Sequence, residues 1–502
     1  MITDLLQQRA AQTPHAVFLS TDLGHRSYAE VLEAVRKFAA RLRDAGITKG
    51  DHVALLADNG SPFVVAMLAI SWLGAVPVAL NNQLVADGLR YSLAQSDSKL
   101  IVADQRWWRE KAGFLDTRLP SMGRITLSDE ADFFADLAVQ SNTVEGARVD
   151  GHAACAMLYT SGTTGMPKGV VNSHECYEAV GRDTVTALGL NAADRIMVFL
   201  PLFHANPQMY ALMSALTCGA SLILRPRFSA TNFFDDARRF GATGFTFVGT
   251  VLAILAARFT GSERAHTLRF AVGGGAPAAA WEAVQERFGI RVHELYGMTE
   301  IGGWVSCNTA AAYRFGSCGR VRPSVDVRIF DQNDRQCAAG EQGEIVVRPI
   351  EPNVIFSGYY RNPEATWGSC RNLWFHTGDR GSKDTEGYLY FHGRFKELMR
   401  RGGEMISPVE IEMRLRAMPG IADCAVVGVP DAIMGEEIKA VVTLASPLTA
   451  ASIHDYLKPL FPAFMLPRYI EFIDAIPKTE TEKILRHKLQ YLNATVHDLK
   501  TA

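Results

Sequence analysis

The sequence has little cysteine and no excess of charge of either sign. Its eight cysteines are scattered over 502 residues and form no C-x-x-C pair, which argues against a disulfide framework and a structural zinc site. The 51 basic and 53 acidic side chains give a formal net charge of −2. Proteins that bind nucleic acid or anionic membranes usually carry a basic excess. We therefore expect a protein of a reducing compartment, with neither nucleic acid nor membrane as a partner.

Long hydrophobic runs are missing as well. The best candidate for a membrane span, residues 64–80, is interrupted by Gly74 and Pro77 and is shorter than the roughly 20 apolar residues that a span needs. We predict that this segment is a buried helix leading into a buried strand. Residues 1–12 lack the basic and apolar regions of a signal peptide. These features predict a cytoplasmic protein.

Short apolar segments alternate with segments of helical length over the first 320 residues. A helix is predicted after Ser27, because Ser27 and Glu30 have the spacing of a capping box. Uniformly apolar strands separated by helices are typical of parallel sheets covered on both faces, so the predicted class is α/β. The predicted strands are 53–57, 76–80, 100–103, 154–160, 196–200, 221–224, 245–248, 269–272 and 292–295.

The pattern changes after residue 320. Alternating strands at 325–330 and 344–348 flank a turn-rich segment, which predicts a small antiparallel β unit. Helix-start residues at Ser407 and Pro408 then precede three further strands, enough for a separate α+β domain. We predict two domains, a large one over 1–395 and a small one over 396–502.

A loop of glycine, serine and threonine follows the strand 154–160, and we expect a helix after the loop. The sequence reads YTSGTTGMPKGVV over 159–171. Backbone N–H groups, hydroxyls and Lys168 in such a loop favour phosphate, with an ordinary surface turn as the alternative. It is not a Walker A loop, because Pro167 stands where that pattern requires glycine, and the glycines at 273–275 lack the dinucleotide spacing.

These residues and six later motifs resemble the signatures of the adenylate-forming superfamily, which includes acyl-CoA synthetases, nonribosomal-peptide adenylation domains and luciferases. The motifs occur in the family's order and cover nearly the whole chain. They are GGGAP (273–277), ELYGMTE (294–300), HTGD (376–379), HGRFKEL (392–398), GGEMISPVEIE (402–412) and PKTETEKILR (477–486). The resemblance implies parallel-rich sheets flanked by helices and a small antiparallel β unit, followed by a small, mobile α+β domain.

The resemblance also implies the reaction. A carboxylic acid and ATP give an acyl-adenylate and pyrophosphate, and the acyl group then passes to the thiol of coenzyme A, so ATP, Mg²⁺ and coenzyme A are expected. Catalysis of this kind depends on positioning and charge neutralisation. The implied catalytic residues are Lys483, Glu300, Lys168 and Thr160. Glu300 and Thr163 are the implied Mg²⁺ ligands, and Lys483 would bridge the acid and the α-phosphate.

By position in the motifs, the remaining site residues form four groups. The implied nucleotide site, in which Tyr296 stacks on adenine and Asp379 binds the ribose, comprises Ser161, Gly162, Thr163, Thr164, Gly165, Gly274, Gly275, Ala276, Pro277, Glu294, Tyr296, Gly297, Met298, Thr299, Asp379 and Arg394. The implied acid pocket comprises Phe203, His204, Asn206, Val248, Gly249, Thr250, Gly302, Gly303 and Trp304. Lys396 is the implied hinge, and the implied coenzyme A channel comprises Gly402, Gly403 and Glu404.

The acid itself is only partly indicated. His204, Asn206 and Thr250 favour a polar or modest-sized acid over a long fatty chain. His204 is equally well explained as an aromatic gate or as a core histidine with its hydrogen bonds satisfied.

The last motif departs from the family pattern at Glu482, where glycine is usual. A glutamate adopts positive φ only at a cost, and its charge beside Lys483 opposes phosphate binding unless it points into solvent. The chain is most similar to the crotonobetaine/carnitine-CoA ligase-like branch, some members of which carry such a Glu-Lys pair, so Lys483 is kept as the catalytic lysine.

Three alternatives remain open at this point. The acceptor could be a separate carrier protein or an amine instead of coenzyme A. The activated group could be an unusual oxyanion such as nitrite. The third alternative is that the protein is a non-catalytic nucleotide-binding homologue. Its expected oligomeric state is a monomer or a homodimer.

Overall fold

The computed structural model describes most of the chain. The described residues are 1–84, 86–115, 122–160, 167–395, 399–401, 404–406, 408–431, 434–461, 463–479 and 482–499.

Helices and strands alternate through most of this part of the chain. The helices are α1 Ile2–Gln12, α2 Tyr28–Asp44, α3 Ser61–Trp72, α4 Ala86–Gln95, α5 Gln105–Lys111, α6 Glu130–Ala138, α7 His174–Leu188, α8 Met213–Cys218, α9 Phe233–Phe240, α10 Gly249–Arg258, α11 Ala278–Phe288, α12 Pro363–Gly368, α13 Pro408–Arg416 and α14 Ala450–Leu457. The strands up to residue 321 are β1 Val17–Thr21, β2 Gly24–Ser27, β3 His52–Leu56, β4 Val76–Ala79, β5 Ser98–Asp104, β6 Gly123–Leu127, β7 Ala154–Thr160, β8 Lys168–Ser173, β9 Arg195–Val198, β10 Ser221–Leu224, β11 Gly244–Val248, β12 Phe270–Gly274, β13 Arg291–Met298, β14 Gly303–Cys307 and β15 Arg320–Val321. The later strands are β16 Val325–Phe330, β17 Gly343–Pro349, β18 Gly358–Tyr359, β19 Cys370–Arg371, β20 Trp374–Lys383, β21 Leu389–Arg394, β22 Met399–Arg401, β23 Glu404–Ile406, β24 Ile421–Asp431, β25 Gly435–Leu444, β26 Tyr469–Phe472 and β27 Val496–Asp498.

Two large sheets carry the parallel strands. One has the order β15-β14-β13-β12-β11-β9-β10-β1-β2 and is parallel from β13 to β1. The other has the order β18-β8-β7-β4-β3-β5-β6 and is parallel from β7 to β6. Two smaller sheets have the orders β16-β17-β20-β19, with β21 beside β20, and β23-β22-β25-β26-β27, with β24 beside β25. The predicted α/β class is therefore confirmed.

The helix α3 lies in the main hydrophobic core. All of its residues are buried, and they share that core with Leu55 of one large sheet and Val198 of the other. The prediction for residues 64–80, a buried helix leading into a buried strand, is confirmed by α3 and β4. No helix in the described part of the chain is long and apolar enough to cross a membrane. The predicted capping box is also confirmed, since Ser27 accepts from the Glu30 amide and Glu30 accepts from the Ser27 amide.

The prediction of a helix directly after the glycine-rich loop is wrong. The residues after the loop form β8, which pairs antiparallel with β7 from Thr160↔Lys168 to Ala154↔Ser173. The helix α7 begins only at His174, where the Ser173 side chain accepts a hydrogen bond from the Cys176 amide. The adjacent valines Val170 and Val171 favour a strand, and β7 supplies the partner. The loop therefore joins two antiparallel strands, and no helix N-terminus follows it.

The chain divides into two compact units. The first comprises Met1–Arg328, Val346–His376 and Lys383–Tyr390, and the second comprises Ile329–Ile345, Thr377–Ser382 and Phe391–Ala502. Each unit has its own hydrophobic core, with Leu68 in the first and Ile453 in the second. The predicted boundary at 395/396 adjoins residues outside the described part of the chain, and it stays a prediction.

Candidate active site

Four groups of predicted site residues follow four neighbouring parallel strands. The strands β13, β12, β11 and β9 are adjacent in the larger sheet. After their carboxyl ends come, respectively, Thr299–Glu300, Gly275–Pro277, Gly249–Thr250 and the segment 199–206. Because the strands are parallel, these segments meet at one edge of the sheet, the edge at which α/β proteins bind their ligands.

Backbone packs directly against backbone at this edge. A Cβ added to Gly249 would overlap the carbonyl oxygen of Gly275, and one added to Gly274 would lie 2.9 Å from the carbonyl oxygen of Leu295. Gly275 itself has φ +82°, a conformation that favours glycine. Gly249 and Gly274 are thus required because neighbouring backbone lies too close for a side chain. Gly275 is required by its backbone conformation. Pro277 caps α11 at its amino end.

The Glu294 side chain stabilises the glycine-rich turn through hydrogen bonds. Its carboxylate accepts hydrogen bonds from the backbone N–H groups of Gly275, at 2.6 Å, and Ala276, at 3.1 Å. Burial raises the pKa of Glu294 to about 8, against the lowering effect of these two donors. The sequence placed Glu294 in the nucleotide site, and the structure places its carboxylate against the turn's own amides. Tyr296 is buried on the same strand.

Glu300 is held by two hydroxyl groups. Thr160 Oγ1 and the Tyr359 hydroxyl both donate to Glu300 Oε1, each at 3.1 Å, and the Glu300 carbonyl accepts from the Phe356 amide at 3.0 Å. Glu300 is buried, with 4% of its surface exposed. Among the described residues, none donates a hydrogen bond to Oε2. A fixed carboxylate with one oxygen available suits Mg²⁺, a hard cation that usually takes one or two protein carboxylates plus phosphate and water oxygens.

Tyr359 was not predicted from the sequence. It lies 59 residues from Glu300, and no motif spacing connects the two. Burial raises the pKa of the Tyr359 hydroxyl, and the neighbouring Glu300 carboxylate raises it further, so the hydroxyl remains a donor. Its ring also receives Lys168, whose Nζ lies 4.8 Å from the ring centroid.

Thr160 and Lys168 occupy the two ends of the phosphate loop. They face each other as the last pair of the β7–β8 ladder, so both predicted residues lie beside Glu300 and Tyr359. The predicted loop residues Ser161, Gly162, Thr163, Thr164 and Gly165 lie outside the described residues.

Some of the residues predicted for the acid pocket lie next to a π-helical turn. Asn206 Nδ2 donates to the Phe247 carbonyl at 3.1 Å, and the π-helical turn Pro207–Leu212 begins at the next residue. Such turns are frequent at functional sites, and sequence periodicity does not reveal one this short. Phe203 is buried and its ring packs on His204, with centroids 4.5 Å apart. Val248 and Thr250 are half-buried.

We call Gly302, Gly303 and Trp304, the other residues predicted for the acid pocket, the glycine wall. Both glycines have positive φ, +71° and +85°. A Cβ on Gly303 would lie about 3 Å from Met209 and Tyr210, so this wall packs against the π-helical turn. The Trp304 indole N–H donates to Thr184 Oγ1 at 2.8 Å. Met298 ends β13, and Thr299 is the first residue of the short turn before this wall. A Cβ on Gly297 would overlap the Gly303 carbonyl.

In the second unit, two predicted residues form an ion pair. Arg394 Nε lies 3.0 Å from Asp379 Oδ1, and Asp379 is buried. The Thr377 hydroxyl accepts from the Asp379 amide at 3.1 Å and donates to the Ile345 carbonyl at 2.7 Å. The carboxylate is therefore fixed in place by its own unit.

Lys483 lies elsewhere in the second unit, on an exposed turn. Its backbone carbonyl accepts from the Thr479 amide at 2.8 Å, and its own amide donates to Thr479 Oγ1 at 3.1 Å. Glu482 has φ +62°, so it adopts the conformation in which the family pattern has glycine. The predicted hinge Lys396 and the channel residues Gly402 and Gly403 lie outside the described residues, whereas the backbone of Glu404 belongs to β23.

Comparisons with known proteins agree with this geometry. Residues 6–360 match the family model for "AMP-binding enzyme", and residues 410–483 match that for "AMP-binding enzyme C-terminal domain". A crotonobetaine/carnitine–CoA ligase from Salmonella choleraesuis (strain SC-B67) is 32% identical over 479 residues, which are 92% of this chain and 93% of that protein.

Solved structures give the same result. The ATP-bound MatB from Rhodopseudomonas palustris is 28% identical and superposes with a TM-score of 0.88 over 98% of both chains. An o-succinylbenzoate CoA synthetase from Bacillus subtilis, in complex with its acyl-adenylate intermediate, is also 28% identical. Its TM-score is 0.86, over 97% of this chain and 98% of that one.

These comparisons confirm the superfamily predicted from the motifs and its crotonobetaine/carnitine-CoA ligase-like branch. They also confirm the predicted enzyme class, an AMP-forming acyl-CoA synthetase. With both family models matched in order along the chain, this protein belongs to the AMP-binding enzyme family.

Proposed function

We propose that this protein is an acid–CoA ligase that activates a small, polar carboxylic acid. ATP and the acid give an acyl-adenylate and pyrophosphate, and coenzyme A then takes the acyl group. The observation that carries the proposal is the fixed Glu300 carboxylate beside both ends of the phosphate loop. Within the described part of the chain, no group donates to its Oε2.

In the first step, the residues of the first unit bind and orient the triphosphate. Lys168 contributes a positive charge at one end of the loop, and Thr160 contributes a hydroxyl at the other. Glu300 presents Oε2 to Mg²⁺, which when bound neutralises charge on the phosphate oxygens. Thr163 is proposed as a second ligand, with Ser161, Gly162, Thr164 and Gly165 around the phosphates.

Two groups of residues are proposed for the nucleoside. We propose that the backbone of Gly274–Pro277 and the ring of Tyr296 bind adenine, and that Asp379 with Arg394 binds the ribose hydroxyls. Lys483 would bridge the acid and the α-phosphate as negative charge develops between them. In the second step, Lys396 is the proposed hinge, and Gly402, Gly403 and Glu404 are proposed to line the coenzyme A channel.

A compact, polar acid is the substrate that we propose. The glycine wall at Gly302–Gly303 packs closely against the π-helical turn, and the polar residues His204 and Asn206 lie directly before that turn. Two of the proteins named above are a crotonobetaine/carnitine–CoA ligase and an o-succinylbenzoate CoA synthetase, and the three compounds in these names are small carboxylic acids.

Several finer points remain predictions. They are a carrier protein or amine as acceptor, an oxyanion such as nitrite as the activated group, a cytoplasmic location, and the monomeric or homodimeric state.

An assay of the purified protein with a panel of acids tests the proposal. ATP, Mg²⁺ and each acid are supplied with and without coenzyme A, while pyrophosphate and thioester are measured. Acid-dependent pyrophosphate release with a CoA-thioester product is the expected result. Pyrophosphate release without thioester would shift the function to another acceptor, and binding of ATP with no release for any acid would contradict the proposal.

A further inference from the structure

The turn before Lys483 contains an unusual residue, Glu482. The turn is closed by hydrogen bonds from the Thr479 amide to the Lys483 carbonyl, at 2.8 Å, and from the Glu482 amide to the Thr479 carbonyl, at 2.9 Å. An isolated antiparallel bridge between Lys478 and Ile484 closes its base. Since Glu482 immediately precedes Lys483, its backbone conformation sets the direction in which the lysine leaves the turn.

Glu482 occupies the left-handed region, with φ +62°. A residue with a Cβ adopts this conformation only where its surroundings enforce it, whereas glycine adopts it readily. Asn and Asp tolerate it through short side chains that bond locally, and the longer glutamate side chain lacks that property. The structure must therefore supply a constraint that keeps Glu482 in place.

Lys478 supplies such a constraint. Its Nζ lies 3.3 Å from Glu482 Oε2 and 2.7 Å from Asp423 Oδ2. Asp423 is part of the long strand β24, so Lys478 connects the turn to the sheet. Lys478 and Asp423 are half-buried, with 27% and 28% of their side chains exposed, and Glu482 is exposed, at 47%.

The same ion pair also offsets the negative charge of the Glu482 carboxylate. A carboxylate next to Lys483 in the chain competes with phosphate for the lysine's positive charge. With Lys478 beside its Oε2, the Glu482 carboxylate has a cation of its own.

We propose that Lys478 is a positioning residue: by pairing with both Asp423 and Glu482, it holds the non-glycine turn that presents Lys483. This inference rests on the proposed role of Lys483 in adenylation. It implies that Lys478 matters because residue 482 is a glutamate, and that with glycine at 482 the chain no longer needs the ion pair.

A double-mutant cycle tests this dependence. Lys478→Met should lower acid-dependent pyrophosphate release by about two- to fivefold, the value of a partly exposed ion pair, and leave thioester formation from supplied acyl-adenylate unchanged. Glu482→Gly should lose no activity, and the double variant should regain the rate that Lys478→Met lost. Lys478→Arg, which keeps the charge, should retain most of the activity.

Lys458→Met is the matched control. Lys458 pairs with Asp455 at 2.8 Å on the surface of the same unit, away from the turn in sequence, so its loss should leave both half-reactions unchanged. An equal loss on Lys478→Met whether residue 482 is glutamate or glycine would overturn the inference, as would no loss in either case.

Hydrogen exchange separates this inference from the proposed function. In the Lys478→Met variant, amides in a peptide spanning 478–486 should exchange faster, and the double variant should return to the slower rate. If no acid supports adenylation, the proposed function fails, and this readout still decides the role of Lys478. Unchanged exchange in Lys478→Met would overturn the inference.

Discussion

At the scale of single residues, Glu300 has the most direct link to chemistry, because its two oxygens have different surroundings. Oε1 accepts from Thr160 and Tyr359, whereas none of the residues that the structure describes donates to Oε2. In Glu300→Gln, the amide oxygen can keep both hydrogen bonds while an NH2 group replaces the open oxygen. We expect the rate of adenylation to fall by about 10²-fold, measured as acid-dependent pyrophosphate release over a range of Mg²⁺ concentrations.

Tyr359→Phe is the matched comparison for this change. It keeps the Glu300 carboxylate and removes one donor to Oε1, so the expected loss is about tenfold, the value of one hydrogen bond to a charged group. A larger loss in Tyr359→Phe than in Glu300→Gln would contradict the assignment of Glu300 as the cation ligand.

The raised pKa of Glu294 predicts that the stability of the protein depends on pH. Because burial raises its pKa from the ordinary 4.5 to about 8, the folded protein binds this proton more tightly than the unfolded chain does. Its stabilising contribution is complete below pH 4.5 and is lost as the pH rises towards 8. Relative to Glu294→Gln, which does not titrate, the wild type should lose a free energy of unfolding on the order of a few kcal/mol between pH 5 and 8.

Urea unfolding at a series of pH values measures this difference. Glu282→Gln, at an exposed position on the adjacent helix α11, serves as the control and should follow the wild type. A constant difference between wild type and Glu294→Gln over this pH range would show that Glu294 does not hold a raised pKa.

At the scale of secondary-structure elements, the positions of the strands were largely predictable and their partners were not. Residues 221–224 and 325–330 form strands with the predicted limits, because a buried strand shows its apolar side chains directly in the sequence. The sequence predicts a helix after the glycine-rich loop, whereas the strand β8 follows it. What makes this segment a strand is its pairing with β7, a contact that no local pattern contains. The division of the parallel strands between two sheets depends on pairing in the same way.

The candidate site shows the same division. Residues that belong to motifs, such as Glu300, Asp379 and Lys168, are predicted as site residues from their resemblance to a family. Tyr359 and the support of the Gly275 turn by Glu294 arise from contacts between distant segments. Such contacts depend on tertiary packing, which motif spacing does not encode.

The close approach of Gly249 and Gly275 gives a prediction at this scale. In Gly249→Ala, the new methyl group would overlap the backbone carbonyl of Gly275, so the turn after β11 or the one after β12 must move. We expect a loss of unfolding free energy of about 2 kcal/mol and a lower adenylation rate. Thermal unfolding and pyrophosphate release measure the two effects.

Gly261→Ala is the control for this substitution. A Cβ at Gly261 meets no atom within 4 Å, so its effect on stability should stay within about 0.5 kcal/mol. Equal effects of the two alanines would show that the approach of the two turns is not a constraint on the site.

At the scale of the whole molecule, the assigned residues divide between the two compact units. Thr160, Lys168 and Glu300 belong to the first unit, and Asp379, Arg394 and Lys483 belong to the second. The formal net charge of −2 is a sum over the whole chain. It does not reveal that the charged side chains of Lys168 and Glu300 both contact Tyr359.

The measurement that tests this account most directly is a comparison of the two half-reactions in Lys483→Ala. If Lys483 bridges the acid and the α-phosphate, adenylation should fall by about 10²-fold or more, while thioester formation from supplied acyl-adenylate and coenzyme A largely survives. An equal loss of both half-reactions in a variant with wild-type thermal stability would contradict the account.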